Sequence, residues 1–400
     1  MKQPDSAYPV QHDVNCSAME ILQNIPLAPL TTLGIGGPAR YFVNVRTAND
    51  AREAVLWARE YGQPLFILGG GSNLVVSDEG WPGLVARIAI AGIERRLVNN
   101  EILYDAGAGA GWDEFVQHAV AEECAGVECL SGIPGTVGGT PVQNVGAYGQ
   151  EVSETIRSVQ ALDLNTLEFV SLENRDCGFC YRGSRFNAAD RGRYMILRVT
   201  FALRPAGTPC LRYADLKAHF GEYAAQPSLA QVRQAVLEIR RRKAMVVEDA
   251  EPDSRSAGSF FKNPLITRAH YQQIVERYKA KEPFATTAQP DQAARRISKE
   301  CSSDFKVPCF EAGDGRVKLP AAWLVEHSGV CRGFQLGPVA VSRKHALALV
   351  NLGGATTADL LKLKNLVQAK VREAFAIELE PEPVFVGFPT GSKLAPPVVP

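Results

Sequence analysis

Apolar residues recur with helical spacing in three main places along the chain. Ala51, Ala54, Val55 and Ala58 share one face of a helix predicted from Thr47 to Tyr61, with Asn49 or Asp50 able to cap its start. Leu229, Val232, Val236 and Ile239 form a second stripe, which ends in Arg240-Arg241-Arg242-Lys243. Leu360, Leu363, Val367, Val371 and Ala374 mark a long helix from about Thr357 to Phe375, and Thr356 and Asp359 have the spacing of a capping box. Between the first two stripes the pattern changes. Pro64 is followed by the apolar run Leu65-Phe66-Ile67-Leu68, three glycines and Val75-Val76, so the first ~90 residues read as a small α/β unit. Short strands are predicted from Ile102 to Phe201, with one helix from Trp112 to Val120. Residues 282–316 are polar and irregular and read as a long loop, and Glu248 to Arg255 reads as a hinge. The first ~20 residues lack periodicity, and the end after Thr390 is proline-rich, as disordered tails are.

Composition narrows the class. A chain of 400 residues exceeds one ordinary core, so two or three domains are expected. Acidic and basic side chains balance at 43 each, which argues against a general nucleic-acid binder but leaves room for a local basic pocket. No apolar h-region follows Met1, and no apolar run could span a bilayer; a soluble, cytoplasmic protein is the expectation. The nine cysteines are scattered, as reduced thiols are. Cys177 and Cys180 lack a second pair at zinc spacing and read as packing residues, so no metal is expected.

The candidate chemistry lies in loops. Gly69-Gly70-Gly71-Ser72-Asn73, with Leu74 after it, follows an apolar strand. Its successive N–H groups would make a nest for an anion such as a pyrophosphate, although a tight turn between strands would use the same residues. Gly107-Ala108-Gly109-Ala110-Gly111 lacks dinucleotide-fingerprint spacing and reads as packing. The segment from Ser131 to Gly149 is dense in glycine and proline, too long for a structural turn, and suits backbone laid along an extended ligand. Its Gln143 and Asn144 carry amides suited to ring carbonyls and nitrogens. Two such loops on separate units suggest a dinucleotide clamped between them.

Three polar motifs complete the set. Tyr181-Arg182-Gly183-Ser184-Arg185-Phe186 offers a guanidinium, the fork that grips a carboxylate, though a surface ion pair is the commoner use. Ala257-Gly258-Ser259-Phe260-Phe261-Lys262-Asn263-Pro264 sets a hydroxyl in a tight turn dried by two phenylalanines, where it could donate a proton; a helix cap is the plainer alternative. Leu379-Glu380-Pro381-Glu382-Pro383 places two carboxylates on one face of an extended segment.

Together, in this order, these motifs closely resemble the UDP-N-acetylenolpyruvoylglucosamine reductase (MurB) family. The likeness runs from about Pro29 to Gly387 and includes Thr32-Leu33-Gly34-Ile35-Gly36-Gly37-Pro38-Ala39. It implies an α+β fold: a two-lobed, vanillyl-alcohol-oxidase-like (PCMH-type) FAD-binding domain and a separate α/β substrate-binding domain. The division expected is a flexible extension over 1–20, FAD lobes over 21–90 and 91–240, a substrate domain over 241–388 with the polar loop 282–316 inside it, and a disordered tail over 389–400. It further implies that NADPH reduces FAD and that UDP-N-acetylglucosamine enolpyruvate is reduced to UDP-N-acetylmuramate by a monomeric enzyme of peptidoglycan synthesis, without nucleic-acid partner or membrane insertion. Carried over by motif, Arg182 and Glu382 stabilise the carboxylate-derived intermediate and Ser259 protonates the adjacent carbon. FAD would meet Gly69, Gly70, Gly71, Ser72, Asn73, Leu74, Ser131, Gly132, Ile133, Pro134, Thr136, Gly138, Gly139, Gln143, Asn144 and Gly146. Tyr213, Lys243, Asn263 and His345 match substrate-side positions. The chain departs from the family pattern at Thr31, Gly183 and Pro383; the proline after Glu382 removes an N–H and could shift that carboxylate. Another oxidase of the same FAD fold, or a non-catalytic flavin- or UDP-sugar-binding protein, are the rival readings.

Overall fold

The computed structural model describes residues 19–98, 101–221, 227–279 and 307–389. The expected N-terminal extension up to residue 18, most of the expected polar loop and the expected tail from residue 390 lie outside the described residues.

The helix Ala48–Glu60 forms as its apolar stripe predicts, but its N-cap is Thr47, not the expected Asn49 or Asp50. Thr47 and Asp50 cap it reciprocally, and Ala51, Ala54, Val55 and Ala58 are buried. These small residues let the helix lie close to a four-stranded sheet in the spatial order Leu22–Pro26, Pro38–Val45, Trp81–Ile88, Leu65–Leu68. The last three strands run parallel, so their C-terminal ends, including the one that leads into Gly69, share one edge. Ligands of open α/β sheets bind at such an edge.

A second, antiparallel sheet follows in the order Phe169–Glu173, Ile156–Asp163, Tyr194–Pro205, Glu101–Gly107, Ile93–Val98. The helix Trp112–Ala121 packs Trp112, Phe115, Val116 and Ala119 against it, with Phe115 4.5 Å from Phe201 between ring centroids. One buried apolar cluster joins Val43 and Ala54 of the first unit to Phe115 and Phe201 of the second. The close approach of the two units uses glycine. A Cβ on Gly107 would stand 2.3 Å from the Ile90 carbonyl, and one on Gly109 would stand 2.7 Å from Ala89. The Gly107–Gly111 run is therefore a packing surface.

A third unit holds two three-stranded sheets, Leu265–Thr267 with Arg316–Lys318 and Phe310–Glu311, and Gln335–Leu336 with Val339–Val341 and Leu349–Asn351. The helix Thr357–Phe375 covers its core with Leu360, Leu363, Val367 and Val371. The C-terminal part of the segment expected as loop differs from expectation. Val307 is buried, and Phe310–Glu311 pairs with Arg316–Lys318. Alternation over so few residues gives no period to read.

The chain does not divide cleanly. Strand Val384–Val386, at the end of the third unit, pairs in parallel with Leu74–Val76, just past the first glycine loop. Leu33, Ile35 and Val75 pack into the core of the third unit. Thr32 Oγ1 donates to Ser256 O at 2.6 Å, and Asn351 Nδ2 donates to Leu33 O at 3.0 Å. Thr31 uses its hydroxyl locally, donating to Ala28 O at 3.0 Å and accepting from the Gly34 amide at 3.2 Å. Among the described residues, no helix is long and apolar enough to cross a membrane.

Candidate active site

The two glycine loops meet. A Cβ on Gly70 would stand 2.5 Å from Gly135 Cα, and one on Gly135 would stand 2.9 Å from Ser72 Oγ. Gly71 adopts a φ of +64°, and a Cβ there would strike the Leu30 carbonyl at 1.8 Å. Asn73 Nδ2 donates to Gln143 Oε1 at 2.7 Å, closing the cradle at its far end. The second loop is pinned from behind. Trp112 N donates to Gly135 O, Val137 N to Ala110 O and Gly138 N to Ala108 O, each at 2.9–3.0 Å. Gly132 N donates to Asp113 Oδ1 at 2.5 Å, and Asp113 is held in a bidentate pair by Arg233.

The cradle fits a dinucleotide. Thr136 Oγ1, against Gly69, is a buried hydroxyl without a hydrogen-bond partner. Arg240 is buried beside Gly132 with its Nε unpartnered, and burial lowers its pKa. Unsatisfied buried groups of this kind are expensive and call for a ligand. A Cβ on Gly139 would meet nothing. Gly69, Gly70 and Ser72 of one loop thus meet Gly135 and Thr136 of the other. Ser131 and Asn144 spend their side chains on the protein itself. Ser131 is fully buried and donates to Glu128 O at 2.7 Å. Asn144 is buried too; its Nδ2 donates to Glu151 Oε2 and to Cys180 O, and its Oδ1 accepts from Ser153 N. Its amide ties the glycine loop to the Arg182 loop, and its partners lie too far along the sequence for the motif to reveal this.

Arg182 lies at the rim of the cradle. Its NH1 donates to Gly146 O at 2.9 Å, and its Nε stands 3.4 Å from Glu382 Oε1. Asn144, Tyr148 and Arg182 all have positive φ, at 45°, 50° and 54°. Three side-chain-bearing residues in the left-handed region on one rim is the kind of strain that collects at functional sites.

Glu382 is placed by backbone. Its N–H donates to Phe260 O at 2.9 Å, and the next N–H along, that of Val384, donates to Asn73 O at 2.9 Å. Both bonds skip residue 383, so the proline there breaks neither. Lys262 N donates to Glu380 O, and Glu380 pairs with Lys262 Nζ at 2.5 Å in the open. Glu382 is the inward carboxylate of the pair. Burial pushes its pKa above the ordinary range, against the pull of Arg182 and Lys262.

Ser259 immediately precedes Phe260, whose carbonyl holds Glu382. It sits in a bend and caps no helix. Phe260 and Phe261 are buried behind it. Its Oγ lies 3.0 Å from His345 Nε2. Three substrate-side candidates remain. Tyr213 is exposed at the start of the helix Ala214–Phe220 and meets Tyr148 edge to face at 5.4 Å. Lys243 Nζ pairs with Asp215 at 3.1 Å. Asn263 accepts from Ala321 N at 2.8 Å, so its oxygen is committed to the fold. Sequence reasoning missed Asp253. This buried carboxylate accepts from Ser342 Oγ, Arg343 N and the Arg343 guanidinium, and so fixes the turn that carries His345. Its partners are about ninety residues away, with no local signal.

A parallel-edge glycine nest facing a second lobe, with a polar cluster at its mouth, defines a flavoprotein of the two-lobed FAD-binding fold. Residues 39–167 match the FAD binding domain, and residues 250–386 match the C-terminal domain of UDP-N-acetylenolpyruvoylglucosamine reductase. A reductase of that name from Thermobifida fusca is 42% identical over 91% of this chain and 98% of its own length. One from Streptomyces avermitilis is 44% identical over 92% and 95%. The crystal structure of the Thermus caldophilus UDP-N-acetylenolpyruvylglucosamine reductase superposes with a TM-score of 0.59 at 24% identity, covering 92% of this chain and 99% of that one. The chain belongs to the UDP-N-acetylenolpyruvoylglucosamine reductase family and is an FAD-dependent oxidoreductase.

Proposed function

We propose that the enzyme reduces UDP-N-acetylglucosamine enolpyruvate to UDP-N-acetylmuramate, a step of peptidoglycan precursor synthesis, and takes its electrons from NADPH. The observation that supports this reading is the hydrogen bond from Glu382 N to Phe260 O, because it ties Glu382, 3.4 Å from the Arg182 guanidinium, to the residue that follows Ser259. The residues Gly69 to Asn73 and Ile133 to Gly139 would hold FAD, which supplies the hydride when bound. Hydride addition to an enol ether conjugated with a carboxylate drives negative charge onto the carboxylate oxygens. Arg182 meets that charge with a fixed cation. Glu382, its pKa raised by burial, is suited to share a proton with one of those oxygens. Ser259 then protonates the adjacent carbon from its dry turn. Lys243 and Tyr213 suit the diphosphate and a lid over the substrate.

Purified enzyme should carry a yellow flavin spectrum and consume NADPH catalytically, beyond one equivalent per flavin, only when the enolpyruvyl substrate is present. Protein that binds no added FAD sinks the reading. Flavin reduction without substrate-dependent turnover would favour another flavoprotein of the same fold.

A further inference from the structure

His345 meets Ser259 at 3.0 Å, and both sides of that contact are held. On the histidine side, Ser342 Oγ accepts from the His345 and Lys344 amides, at 3.3 and 3.1 Å, while donating to Asp253 Oδ2 at 3.0 Å. Arg343 NH2 and Nε clasp the same buried carboxylate at 2.7 and 3.1 Å. On the serine side, Phe260 N donates to Leu347 O at 2.8 Å, which staples the two turns together. A serine hydroxyl and an imidazole 3.0 Å apart on two braced turns form a pre-set pair.

We propose that His345 is the positioning residue and proton relay of Ser259: its Nε2–H holds the serine oxygen so that the hydroxyl proton faces the substrate, and then returns a proton to that oxygen. The proposal rests on the reading of Ser259 as proton donor. The steps balance. The electron pair of the substrate enolate forms a C–H bond as the Ser259 O–H bond breaks, leaving an alkoxide. The Nε2 proton moves to Oγ while Nδ1 takes a proton from water, so the ring ends as the other neutral tautomer and the proton consumed comes from solvent. Burial first, then the nearby Lys243, Arg240 and Arg332, push the imidazole down to about 4. The ring is therefore neutral near pH 7 and carries one N–H, as the relay requires. The same three cations favour the transient alkoxide.

The test uses the full-length, FAD-loaded enzyme and its His345→Ala and His345→Gln variants. FAD content and melting temperature are measured first; His345→Gln keeps volume and a donor amide but cannot exchange protons, so it carries the test if His345→Ala folds poorly. Flavin reduction by NADPH, reoxidation by substrate and steady-state kcat and KM are then followed separately. The expected result is flavin reduction and KM within roughly two-fold of the parent, kcat lower by roughly ten-fold or more in both variants, and a larger solvent deuterium effect on kcat. Added imidazole should restore part of the His345→Ala rate. A raised KM with unchanged kcat overturns the proposal in favour of a simple substrate contact, and so does unchanged turnover. Ser259→Ala is run beside them. Normal reoxidation in Ser259→Ala overturns the proton-donor reading itself, whereas slow reoxidation there with fully active His345 variants overturns the relay alone.

Discussion

Gly70→Ala asks whether the two glycine loops act as one cradle. The added Cβ would stand 2.5 Å from Gly135 Cα, 2.8 Å from its carbonyl carbon and 2.9 Å from Thr136 N. All three are backbone atoms, so no side chain can swing away. Reaching ordinary contact requires the loops to part by about 1 Å. Overpacking of this kind costs about 1–3 kcal/mol. For domains of 150–250 residues that is a fall of roughly 2–12 °C in melting temperature. The same parting moves the N–H groups of residues 69–73 away from those of the facing loop, so the Kd for FAD should rise by roughly ten-fold or more, at about 1.4 kcal/mol per ten-fold. Gly139→Ala is the control, because its Cβ meets nothing within 4 Å, and the FAD-free variant should stay within about 0.5 kcal/mol of the parent. The assays are melting of the FAD-free proteins and titration with FAD followed by flavin fluorescence. If Gly70→Ala melts with Gly139→Ala and binds FAD as the parent does, the cradle argument is wrong.

Three further outcomes are expected. Ser259→Ala should keep flavin reduction by NADPH near the parent rate and slow reoxidation by substrate by roughly 10²–10⁴-fold, read by stopped flow at the flavin absorbance; equal loss of both halves counts against a proton-donor role. Glu382→Gln should lose most turnover yet melt no lower than the parent at pH 7. The folded carboxyl binds its proton more tightly than an unfolded one, so its contribution to stability is fully present below the ordinary value of 4.5, is lost as pH rises through the raised value, and leaves the ionised form a fixed cost at neutral pH. Melting from pH 4 to 8 checks this, and a Glu382→Gln protein clearly less stable than the parent at pH 7 contradicts it. Asp253→Ala should cost about 1–3 kcal/mol at pH 7, because it strips four donors on residues 342 and 343 of their acceptor. Burial alone would raise the Asp253 pKa, but Arg343 and Ser342 outweigh it and the net direction is down. Its stability contribution is therefore present above the ordinary carboxylate value and lost as pH falls through the lowered one, so the gap between variant and parent should close in acid.

What could be read from the sequence follows from how local each cause is. The helix Ala48–Glu60 was legible because its stripe lies within its own 13 residues. The glycine loops were legible because close backbone approach leaves a compositional mark at the spot where it happens. The use of Asn144 was not: its partners are Glu151, Ser153 and Cys180, and an amide that braces two loops looks in sequence like an amide that faces a ligand. Asp253 was invisible for the same reason. Pro383 shows the converse. Read alone, a proline beside a catalytic carboxylate is a threat to its position. In the fold the extended segment donates at residues 382 and 384, to Phe260 on one side and Asn73 on the other. Residue 383 lies between the two donors, where neither bond needs an N–H. The proline fixes φ between two anchored amides, which makes it a stiffener of the strand that presents Glu382. A departure from a family pattern is therefore informative only once the hydrogen bonds on either side of it are known.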